Sequence, residues 1–588
     1  MAAFAPRSFY GNSSRDFVES DDDFSEEDNY VPPSDDDETS SADCSDSSDE
    51  EVCVQDDNNS GTSPPRAPAL SSWTAYTDDL PDFPDVAFTV RDPGPQVGSS
   101  SLGSELEFFQ LFFTDELIGE IVEETNRHAH EKISSMDSLA EQSIWKSWED
   151  VSVEEFKAFL GVLMNMALNP KPDIKEYFSQ EILKKMPFFP AVFTRTRFLQ
   201  IFWMLHVSPP PQGPSHQPTR GSKVRNIVNY IDTKCREHFK PGPKICVDES
   251  TVGFKGRVSF KCYNPQKPTK WGLRVYVLAD CRTGYISAFE PYYGSTTTES
   301  LYRPDLPFTC RIVLHLLGKV QCASFGSGYH LYTDRFYTSP QLAEELLSQD
   351  VLLTGTVMTN RKHMPQQLKK KMKKGDVAAY RKGDSYMALA WQDKRQVTML
   401  SSAHNPSTKP VTRTQAHGQA VTLDKPVVIC DYTENMGAVD RADHYCASYA
   451  FCRKSLKWWR KLFFWILEVA IVNSFLLMQM QQAAQGLKRQ RHLMYRRKLI
   501  EQLVGDLRVR PKKRGRASQS DTEERLDGKQ HFIYKLEERT SKDCAVCSDR
   551  KTKEGRRETV FYCKTCTKNP GLHPGDCFEK YHTLSKYR

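Results

Sequence analysis

Basic residues are almost missing from the start of this 588-residue chain. The first 60 residues contain 2 Lys and Arg against 19 Asp and Glu, whereas the rest of the chain carries a net charge of +20. An acidic stretch with few apolar residues cannot bury enough surface to fold. The basic remainder favours a polyanionic partner, because neutralising phosphates releases counterions. We therefore expect a disordered acidic tail over residues 1–103 and a body that binds nucleic acid.

Secretory and membrane signals are also scarce. Met1 leads into an acidic, serine-rich stretch and not into the basic and apolar order of a secretory signal. One apolar run, residues 462–478, contains Glu468 and Asn473 and is barely long enough to cross a bilayer, so a buried helix explains it better. We expect an intracellular protein with no membrane partner and no small-molecule substrate.

Three aspartates each follow an apolar run that reads as extended. Asp248 closes residues 244–248, Asp334 closes residues 328–334, and Asp440 lies at the end of residues 435–440. A lone acid in such a place is usually a turn residue. Three of them in an acid-poor body indicate a site for hard divalent cations, which carboxylate oxygens hold and which phosphate chemistry uses.

Distinctive short motifs follow each of these acids. They are Phe254–Arg257 and Tyr263–Gly272 after Asp248, Phe336–Ser339 after Asp334, and Arg441–Asp443 after Asp440. In this order, from about Phe108 to the C-terminus, the sequence resembles the piggyBac family of DNA transposases. The resemblance implies a multidomain α/β protein with a ribonuclease-H-like catalytic domain, and a catalytic triad of Asp248, Asp334 and Asp440 that cuts and joins DNA.

The resemblance also implies a domain order, which the local patterns fit. Helical periodicity marks the segment after the tail, and alternating strand and helix signals follow it. A basic, irregular stretch then resembles the insertion that interrupts the family's catalytic fold. The predicted segments are the tail, 1–103; a helical dimerisation and DNA-binding domain, 104–243; the catalytic domain, 244–357 and 426–447; the insertion domain, 358–425; the second part of the DNA-binding domain with a basic nuclear-import region, 448–515; and a cysteine-rich zinc domain, 528–588.

Two Mg²⁺ ions held by the triad would clamp the attacking and leaving oxygens of an in-line displacement. By resemblance Asp248 and Asp334 bind metal directly and Asp440 completes the triad. Asp443 is either a supporting ligand on the same helical face or an acid favoured by the helix dipole. The implied reaction nicks terminal inverted repeats, forms and opens a hairpin, and joins the ends into a TTAA target, with a homodimer acting on double-stranded DNA.

Basic residues near the motifs are candidates for phosphate contacts. The first group follows Asp248 and comprises Lys255, Arg257, Lys267 and Lys270. The second lies in residues 453–461, where cations flank two indoles, and comprises Arg453, Lys454, Lys457 and Trp458. We expect Trp459 to enter the core and Trp458 to face DNA as a stacking ring. The later runs Lys488–Arg491, Arg496–Lys498 and Arg510–Arg516 resemble a nuclear import signal and predict a nuclear protein.

Three residues depart from the family's pattern. Arg335 stands beside the second acid, Ala438 precedes the third, and His444 follows it. A guanidinium at Arg335 could compete with a cation for Asp334, although neighbouring strand residues normally point to opposite faces. The sequence therefore favours an active transposase and leaves a domesticated, catalytically silent DNA-binding protein as the alternative.

The C-terminal segment carries the ligands of two structural Zn²⁺ ions. Cys544, Cys547, Cys563 and Cys566 form two tight knuckles that could hold one ion together, and later residues would serve a second. Seven ligands are evident, and His531 is either the eighth or an ordinary surface histidine. The later ligands are His573, Cys577 and His582. By resemblance this is a cross-braced domain that binds the terminal repeats; a chromatin-reading or ubiquitin-ligase-like role would leave the aspartates unexplained.

Overall fold

The structure of the chain is a computed structural model. It describes residues 73–77, 81–83, 85–97, 103–136, 138–141, 143–209, 220–265, 267, 269–324, 327–414, 420–451, 455–507, 525–537, 540–549, 555–584 and 587. The chain divides into two compact units, residues 1–507 and residues 508–588. The finer division of the first unit that the sequence suggests stays a prediction.

A large sheet forms the centre of the first unit. Its order is β1-β10-β11-β12-β9-β8-β4-β6-β5, and β7 also pairs with β6, while β2 with β3 and β13 with β14 form separate two-stranded pairs. The strands are β1 (Thr74–Ala75), β2 (Gly94–Pro95), β3 (Phe239–Lys240), β4 (Lys244–Gly253), β5 (Cys262–Tyr263), β6 (Trp271–Asp280), β7 (Ile286–Pro291), β8 (His330–Thr333), β9 (Leu352–Thr356), β10 (Val377–Lys382), β11 (Tyr386–Gln392), β12 (Gln396–Ser401), β13 (Thr408–Thr414) and β14 (Ala420–Pro426).

Strand direction changes at the middle of this sheet. β4, β8 and β9 run parallel to one another, whereas β6 is antiparallel to β4 and β7 is antiparallel to β6. Parallel strands are covered on both faces, which explains why β4 and β8 begin with continuous apolar runs. Strands β10 to β12, within the predicted insertion segment 358–425, continue the sheet at its β9 edge by antiparallel pairing.

Helices cover both faces of the sheet. One core, beneath α8 and α9, takes up Ile245 and Val247 of β4, and the other, beneath α11 and α12, takes up Cys246 and Val252. The helices of the first unit are α1 (Glu105–Gln110), α2 (Asp115–Ser134), α3 (Val153–Leu168), α4 (Phe188–Val192), α5 (Arg195–Met204), α6 (Arg225–His238), α7 (Ser295–Ser300), α8 (Phe308–Ser324), α9 (Pro340–Leu347), α10 (Val427–Asn435), α11 (Ala438–Ser448), α12 (Trp458–Ala484) and α13 (His492–Val504).

Helix α12 confirms the prediction for the apolar run. It is long and apolar enough to cross a membrane, but 89% of its most apolar window is buried within the protein. Glu468 and Asn473 each have partners there. Asn473 donates to the Ile286 carbonyl at 2.9 Å, and Glu468 forms a fully buried ion pair with Arg496 of α13. Burial raises the pKa of Glu468, while Arg496 acts to lower it.

Breaking the ion pair between Glu468 and Arg496 should lower the free energy of unfolding substantially. Glu468→Gln leaves the Arg496 charge buried without its carboxylate, and this costs about 3–5 kcal/mol. Urea unfolding followed by tryptophan fluorescence measures this loss of stability. All nine tryptophans precede residue 466 and therefore report on the first unit, which contains the ion pair. Glu131→Gln removes a helix-surface pair with Arg127 and should cost under about 1 kcal/mol. Equal effects of the two substitutions would refute the prediction.

Residues 73–97 correct the prediction of a disordered tail that extends to residue 103. Strand β1 pairs with β10, and the Trp73 indole N–H donates to the His363 carbonyl at 2.7 Å. The Arg381 guanidinium lies 4.2 Å from the centre of the Phe83 ring. These aromatic residues supply the apolar surface that the acidic segment lacks, so the prediction is wrong for this stretch. Residues 1–72 lie outside the described residues.

The second unit is small and built from short pairs. β15 pairs with β18 and β16 pairs with β17, and one helix follows them. Its buried apolar contacts are few and gather around two of the cysteines. Its elements are β15 (Ile533–Lys535), β16 (Lys542–Asp543), β17 (Glu558–Thr559), β18 (Phe561–Cys563) and α14 (Asp576–Thr583).

Candidate active site and zinc centres

The first two acids lie side by side on one face of the sheet. β4 and β8 pair in parallel with Cys246 opposite Tyr332 and Val247 opposite Thr333. Asp248 and Asp334 are the next residues along the two segments, and the charge of Asp334 acts on Asp248. Because side chains alternate along a strand, both acids share the face of Cys246 and Tyr332. Asp248 lies inside β4 and not at its end, whereas Asp334 directly follows β8.

Burial and neighbouring negative charges raise the pKa of both carboxyl groups. Burial raises the pKa of Asp248 to about 9, and the charges of Glu249 and Asp334 add to this increase. Burial and the charge of Glu249 raise the pKa of Asp334 to about 6, although backbone N–H groups act in the opposite direction. A cluster of carboxylates that resists ionisation by itself is a fitting donor set for a divalent cation, whose charge would offset the repulsion.

The Arg335 guanidinium does not form an ion pair with the Asp334 carboxylate. Its side chain is exposed, and Asp334 Oδ1 accepts a hydrogen bond from the Phe336 backbone N–H at 2.9 Å. The charge of Arg335 lowers the pKa of Asp334 less than the backbone N–H groups of Phe336 and Tyr337 do. Arg335 therefore does not pair with this carboxyl group, despite the departure from the family's pattern.

The third acid stands on a helix, which corrects the expectation of an extended run before it. Helix α11 runs along β4: backbone N–H groups at its start reach the Cys246 thiol, and farther along the Ser250 hydroxyl donates to Asp443 Oδ1 at 2.6 Å. Asp440 is in the first turn and is exposed. The helix begins at Ala438, which is buried, with Gly437 as its N-cap.

Asp443 is closer to the sheet than Asp440. Burial raises the pKa of Asp443 to about 6, and the charges of Asp440 and Glu249 contribute to the increase. Asp440 is thus near enough to Asp443 to influence its ionisation. In the described part of the chain, no set of three ligand atoms within 4.8 Å of one another includes Asp248, Asp334 or Asp440. Repulsion among the carboxylates gives a physical reason for this spacing.

Glu249 is a member of the site that the sequence reasoning missed. Its Oε2 accepts from the Tyr337 hydroxyl at 2.9 Å, and its charge affects Asp248, Asp334 and Asp443. The Lys267 ammonium donates to the Glu249 carbonyl at 2.8 Å and lies 4.0 Å from its carboxylate. The sequence offered one indication of Glu249, which is that it directly follows Asp248. Two consecutive acids put a carboxylate on each face of a central strand, and this is unusual.

The predicted DNA-binding residues lie in different settings. Lys255, Arg257 and Lys270 are exposed on the connection between β4 and β6, and Lys267 reaches back to Glu249. Lys457 is exposed just before α12. Arg453 and Lys454 lie outside the described residues. Their contact with DNA stays a prediction.

The two indoles at the start of α12 differ in burial. Trp459 is only 4% exposed and lies in the core, as predicted. Trp458 is half-buried, and its ring meets the edges of Phe260 and Tyr293 at centroid distances of 5.1 and 6.0 Å. Trp458 therefore packs against the β4–β6 connection on at least one side.

The eight predicted zinc ligands gather into two clusters of four. One contains Cys544, Cys547, His573 and Cys577, and the other contains His531, Cys563, Cys566 and His582. The suggestion that both cysteine knuckles hold one ion is therefore wrong. Pairing of β15 with β18 places Ile533 opposite Cys563, and His531 Nδ1 lies 3.7 Å from Cys563 Sγ, so the second knuckle is completed by this histidine and not by the first knuckle. His531 joins a cluster and is not an ordinary surface histidine.

The cluster geometry fits tetrahedral zinc. A Zn²⁺ ion bound by a thiolate and an imidazole holds the sulfur and nitrogen about 3.6 Å apart. Cys547 Sγ lies 3.4 Å from His573 Nδ1, and Cys566 Sγ lies 3.6 Å from His531 Nδ1 and 3.5 Å from His582 Nε2. All three distances match the edge of a ZnS₂N₂ or ZnS₃N tetrahedron.

Neighbouring groups favour the thiolate form of Cys544 and orient the cluster histidines, and both effects suit metal binding. Burial raises the pKa of the Cys544 thiol, but backbone N–H groups of Val546, Cys547 and His573 outweigh burial and lower the pKa to about 6. The second ring nitrogens of two cluster histidines each meet a backbone oxygen: Glu558 O lies 3.1 Å from His573 Nε2, and Phe578 O lies 2.8 Å from His582 Nδ1. Such contacts fix the tautomer and orientation of zinc-binding histidines.

A third group, His330, His404 and Asp431, lies at the other end of β8. The Lys244 ammonium donates to Asp431 Oδ1 at 2.6 Å, and the Tyr332 hydroxyl donates to Asp431 Oδ2 at 2.5 Å. A paired ammonium already offsets the carboxylate charge. We therefore interpret this group as a hydrogen-bonded anchor of α10 on the sheet.

Comparisons with known proteins cover most of the chain. A family model described as Transposase IS4 matches residues 104–475, and a model described as DDE_Tnp_1-like zinc finger matches residues 526–583. Two human proteins are similar over 81% of the chain. PiggyBac transposable element-derived protein 3 is 25% identical over 76% of its own length, and piggyBac transposable element-derived protein 2 is 27% identical over 77% of its length.

A solved structure is similar as well. The cryo-EM structure of a piggyBac transposase synaptic complex with hairpin DNA matches with a TM-score of 0.60 and 26% sequence identity. The match covers 71% of this chain and 83% of that one.

Proposed function

Because the chain belongs to the piggyBac-type transposase family, we propose that it is a metal-dependent enzyme that cuts and joins DNA at an acid centre built on Asp248 and Asp334. The closeness of these two acids, one within β4 and one directly after the neighbouring parallel strand β8, carries the proposal. Two buried carboxyl groups whose charges oppose each other's ionisation cost stability. A catalytic cation is the simplest reason to keep them.

The strand order supports a ribonuclease-H-like catalytic fold. Strands β7, β6 and β4 form an antiparallel meander, and β8 and β9 then add in parallel on the far side of β4. The acid-bearing strand is central in this arrangement. Helix α11 brings two further acids to the same face from a segment more than one hundred residues later.

The cofactor that we propose is a pair of Mg²⁺ ions, for which carboxylate oxygens are suitable ligands. Asp248 and Asp334 would hold them, Asp440 would complete the triad, and Asp443 would support it. Bound Mg²⁺ supplies charge neutralisation at the phosphoryl group undergoing in-line displacement. Lys267, fixed to Glu249, places a cation beside the acids and would hold the DNA phosphate next to the cleavage point.

Basic surfaces and the zinc unit supply the expected DNA contacts. Residues 253–274 contain six Lys and Arg and no Asp or Glu, so the connection that flanks the acids attracts phosphates. We further propose that the zinc unit binds the terminal inverted repeats, that a homodimer holds both ends, that TTAA is the target, and that the protein acts in the nucleus. Synapsis by the similar transposase, which was solved with hairpin DNA, supports the paired-end arrangement.

A cleavage assay tests the proposal. Full-length protein is incubated with duplexes that carry the inverted repeats and TTAA flanks of its own element, and products are resolved under denaturing conditions. Nicks at the repeat ends that require Mg²⁺ or Mn²⁺, followed by hairpin products, are expected. Specific binding to the same duplexes without any nick under either metal would instead favour a silent, domesticated DNA-binding protein.

A further inference from the structure

Strand β6 begins with Trp271, an indole that is exposed although the next residues on its face of the strand are buried. Leu273, Val275 and Val277 alternate along the strand and are all buried in the core beneath α11 and α12. Trp271 continues this alternation and is 40% exposed. A large aromatic ring on the same face as the acids, but beyond the cover of the helices, is available to a ligand.

A second aromatic ring and a cation hold Trp271 in place. Tyr263 is its register partner on β5, and the two ring centroids are 4.5 Å apart. The Lys261 ammonium lies 4.8 Å from the Trp271 ring centre. Backbone hydrogen bonds from Asn264 N to Lys270 O, 2.8 Å, and from Phe254 N to Trp271 O, 3.1 Å, fix the strand end. The pair therefore forms a rigid platform and not a loose surface residue.

The charge around the platform selects the class of ligand. Residues 253–274 carry six basic residues and no acidic one, and Lys255, Arg257 and Lys270 are exposed close to the platform in sequence. Cations that surround an exposed aromatic ring are typical of sites where a single strand lies along phosphate contacts and stacks its bases on the ring. An apolar peptide would not use this many cations.

The platform lies within reach of the acid centre. Asp248 is opposite Val277 on β6, and Trp271 is six residues earlier on the same strand. At about 3.3 Å per residue this is a distance of roughly 20 Å, the length of about six nucleotides of one strand. Lys267, between β5 and β6, contacts Glu249 and thus ties the platform's own connection to the acid-bearing strand.

From these observations we propose that Trp271, supported by Tyr263 and Lys261, stacks on an unpaired base of the DNA strand that leaves the acid centre. The inference rests on the proposed function and names the part of the DNA that this surface recognises: single-stranded DNA near the cleaved end. Trp458 is a weaker candidate for stacking on a base, because its half-buried ring packs against Phe260 and Tyr293.

Binding measurements without added divalent cation test the platform separately from catalysis. The probes are a blunt duplex and the same duplex with a single-stranded overhang of about ten nucleotides, which extends past the platform at 3.4 Å per nucleotide. Stacking of one base predicts that Trp271→Ala weakens binding of the overhang probe by at least about fivefold and leaves the blunt duplex unchanged. Trp271→Phe should retain most of the wild-type affinity. Tyr302→Ala, at an exposed ring outside the basic segment, should affect neither probe.

The wild-type protein gives a second measurement. We expect 2-aminopurine placed along the overhang to show its strongest fluorescence quenching about six nucleotides from the duplex junction, and Trp271→Ala to remove that maximum. Loss of affinity for both probes in Trp271→Ala, or a quenching profile that the substitution does not alter, would overturn the inference. Failure of the wild-type enzyme to cleave DNA would refute the proposed catalysis and leave these binding results intact.

Discussion

Replacing Asp334 by Asn is expected to reduce DNA cleavage by at least about a thousandfold while changing affinity for the DNA ends by less than about twofold. The amide keeps the size of the side chain and the hydrogen bond from the Phe336 backbone N–H, but it removes the charge that would hold a cation. A loss of about 4 kcal/mol of transition-state stabilisation corresponds to this decrease. Asp248→Asn should have the same effect, since the two carboxylates act as one site.

Single-turnover cleavage of inverted-repeat duplexes, with DNA affinity measured in parallel, distinguishes this effect from misfolding. Glu434→Gln is the matched control, because Glu434 is an exposed acid on α10 outside the site. It should cleave at the wild-type rate. Cleavage by Asp334→Asn within tenfold of the wild-type rate would contradict the role assigned to the acid centre.

The two acids of α11 should differ in their effects. We expect Asp440→Asn to abolish cleavage like the other triad substitutions, and Asp443→Asn to lower the rate by about tenfold, as for a supporting ligand. The same single-turnover assay measures both. The reverse order would assign the third position of the site to Asp443, whose carboxyl group the Ser250 hydroxyl already holds against β4.

Removal of zinc is the second large effect that we expect. Structural zinc contributes roughly 10–16 kcal/mol to the folding of small domains, and the apolar core of the second unit is too small to replace it. Full-length protein treated with a strong chelator should become sensitive to protease within residues 525–584, while the first unit stays resistant. Metal analysis of the untreated protein should give two zinc ions per chain.

Single ligand substitutions test the grouping of the clusters. His531→Ala and Cys544→Ser should each retain one zinc ion per chain, because they belong to different clusters, and the double variant should retain none. Cys322→Ser, at an exposed cysteine of the first unit, should keep both ions. Two ions bound by His531→Ala would show that the second cluster does not depend on this histidine.

The sequence predicts chemistry better than it predicts how separate segments meet. Family membership and the eight clustered zinc ligands could be predicted, because motif order and ligand spacing are local properties. The division of the ligands between two clusters could not, since it depends on the pairing of β15 with β18. The alternating order along the chain, His531, then Cys544 and Cys547, then Cys563 and Cys566, admits several groupings with equally short loops.

The acid site shows the same limit. The apolar runs before Asp248 and Asp334 correctly indicate strands, because parallel central strands are apolar on both faces. Asp440 instead follows a helix start, and residues 435–440 contain no pattern long enough to tell a strand from a helix. Glu249 and Trp271 were missed as functional candidates, since only the fold shows that the charge of Glu249 acts on the acids and that Trp271 lies beyond the helical cover.

Manganese binding tests most directly whether Asp248 and Asp334 hold a cation together. Carboxylate sites accept Mn²⁺ in place of Mg²⁺, and electron paramagnetic resonance counts the bound ions in zinc-loaded, full-length protein with a DNA end. We predict two Mn²⁺ ions for each acid centre in the wild-type protein and none in Asp248→Asn/Asp334→Asn. An unchanged number of bound ions in the double variant would contradict the proposed metal-dependent centre.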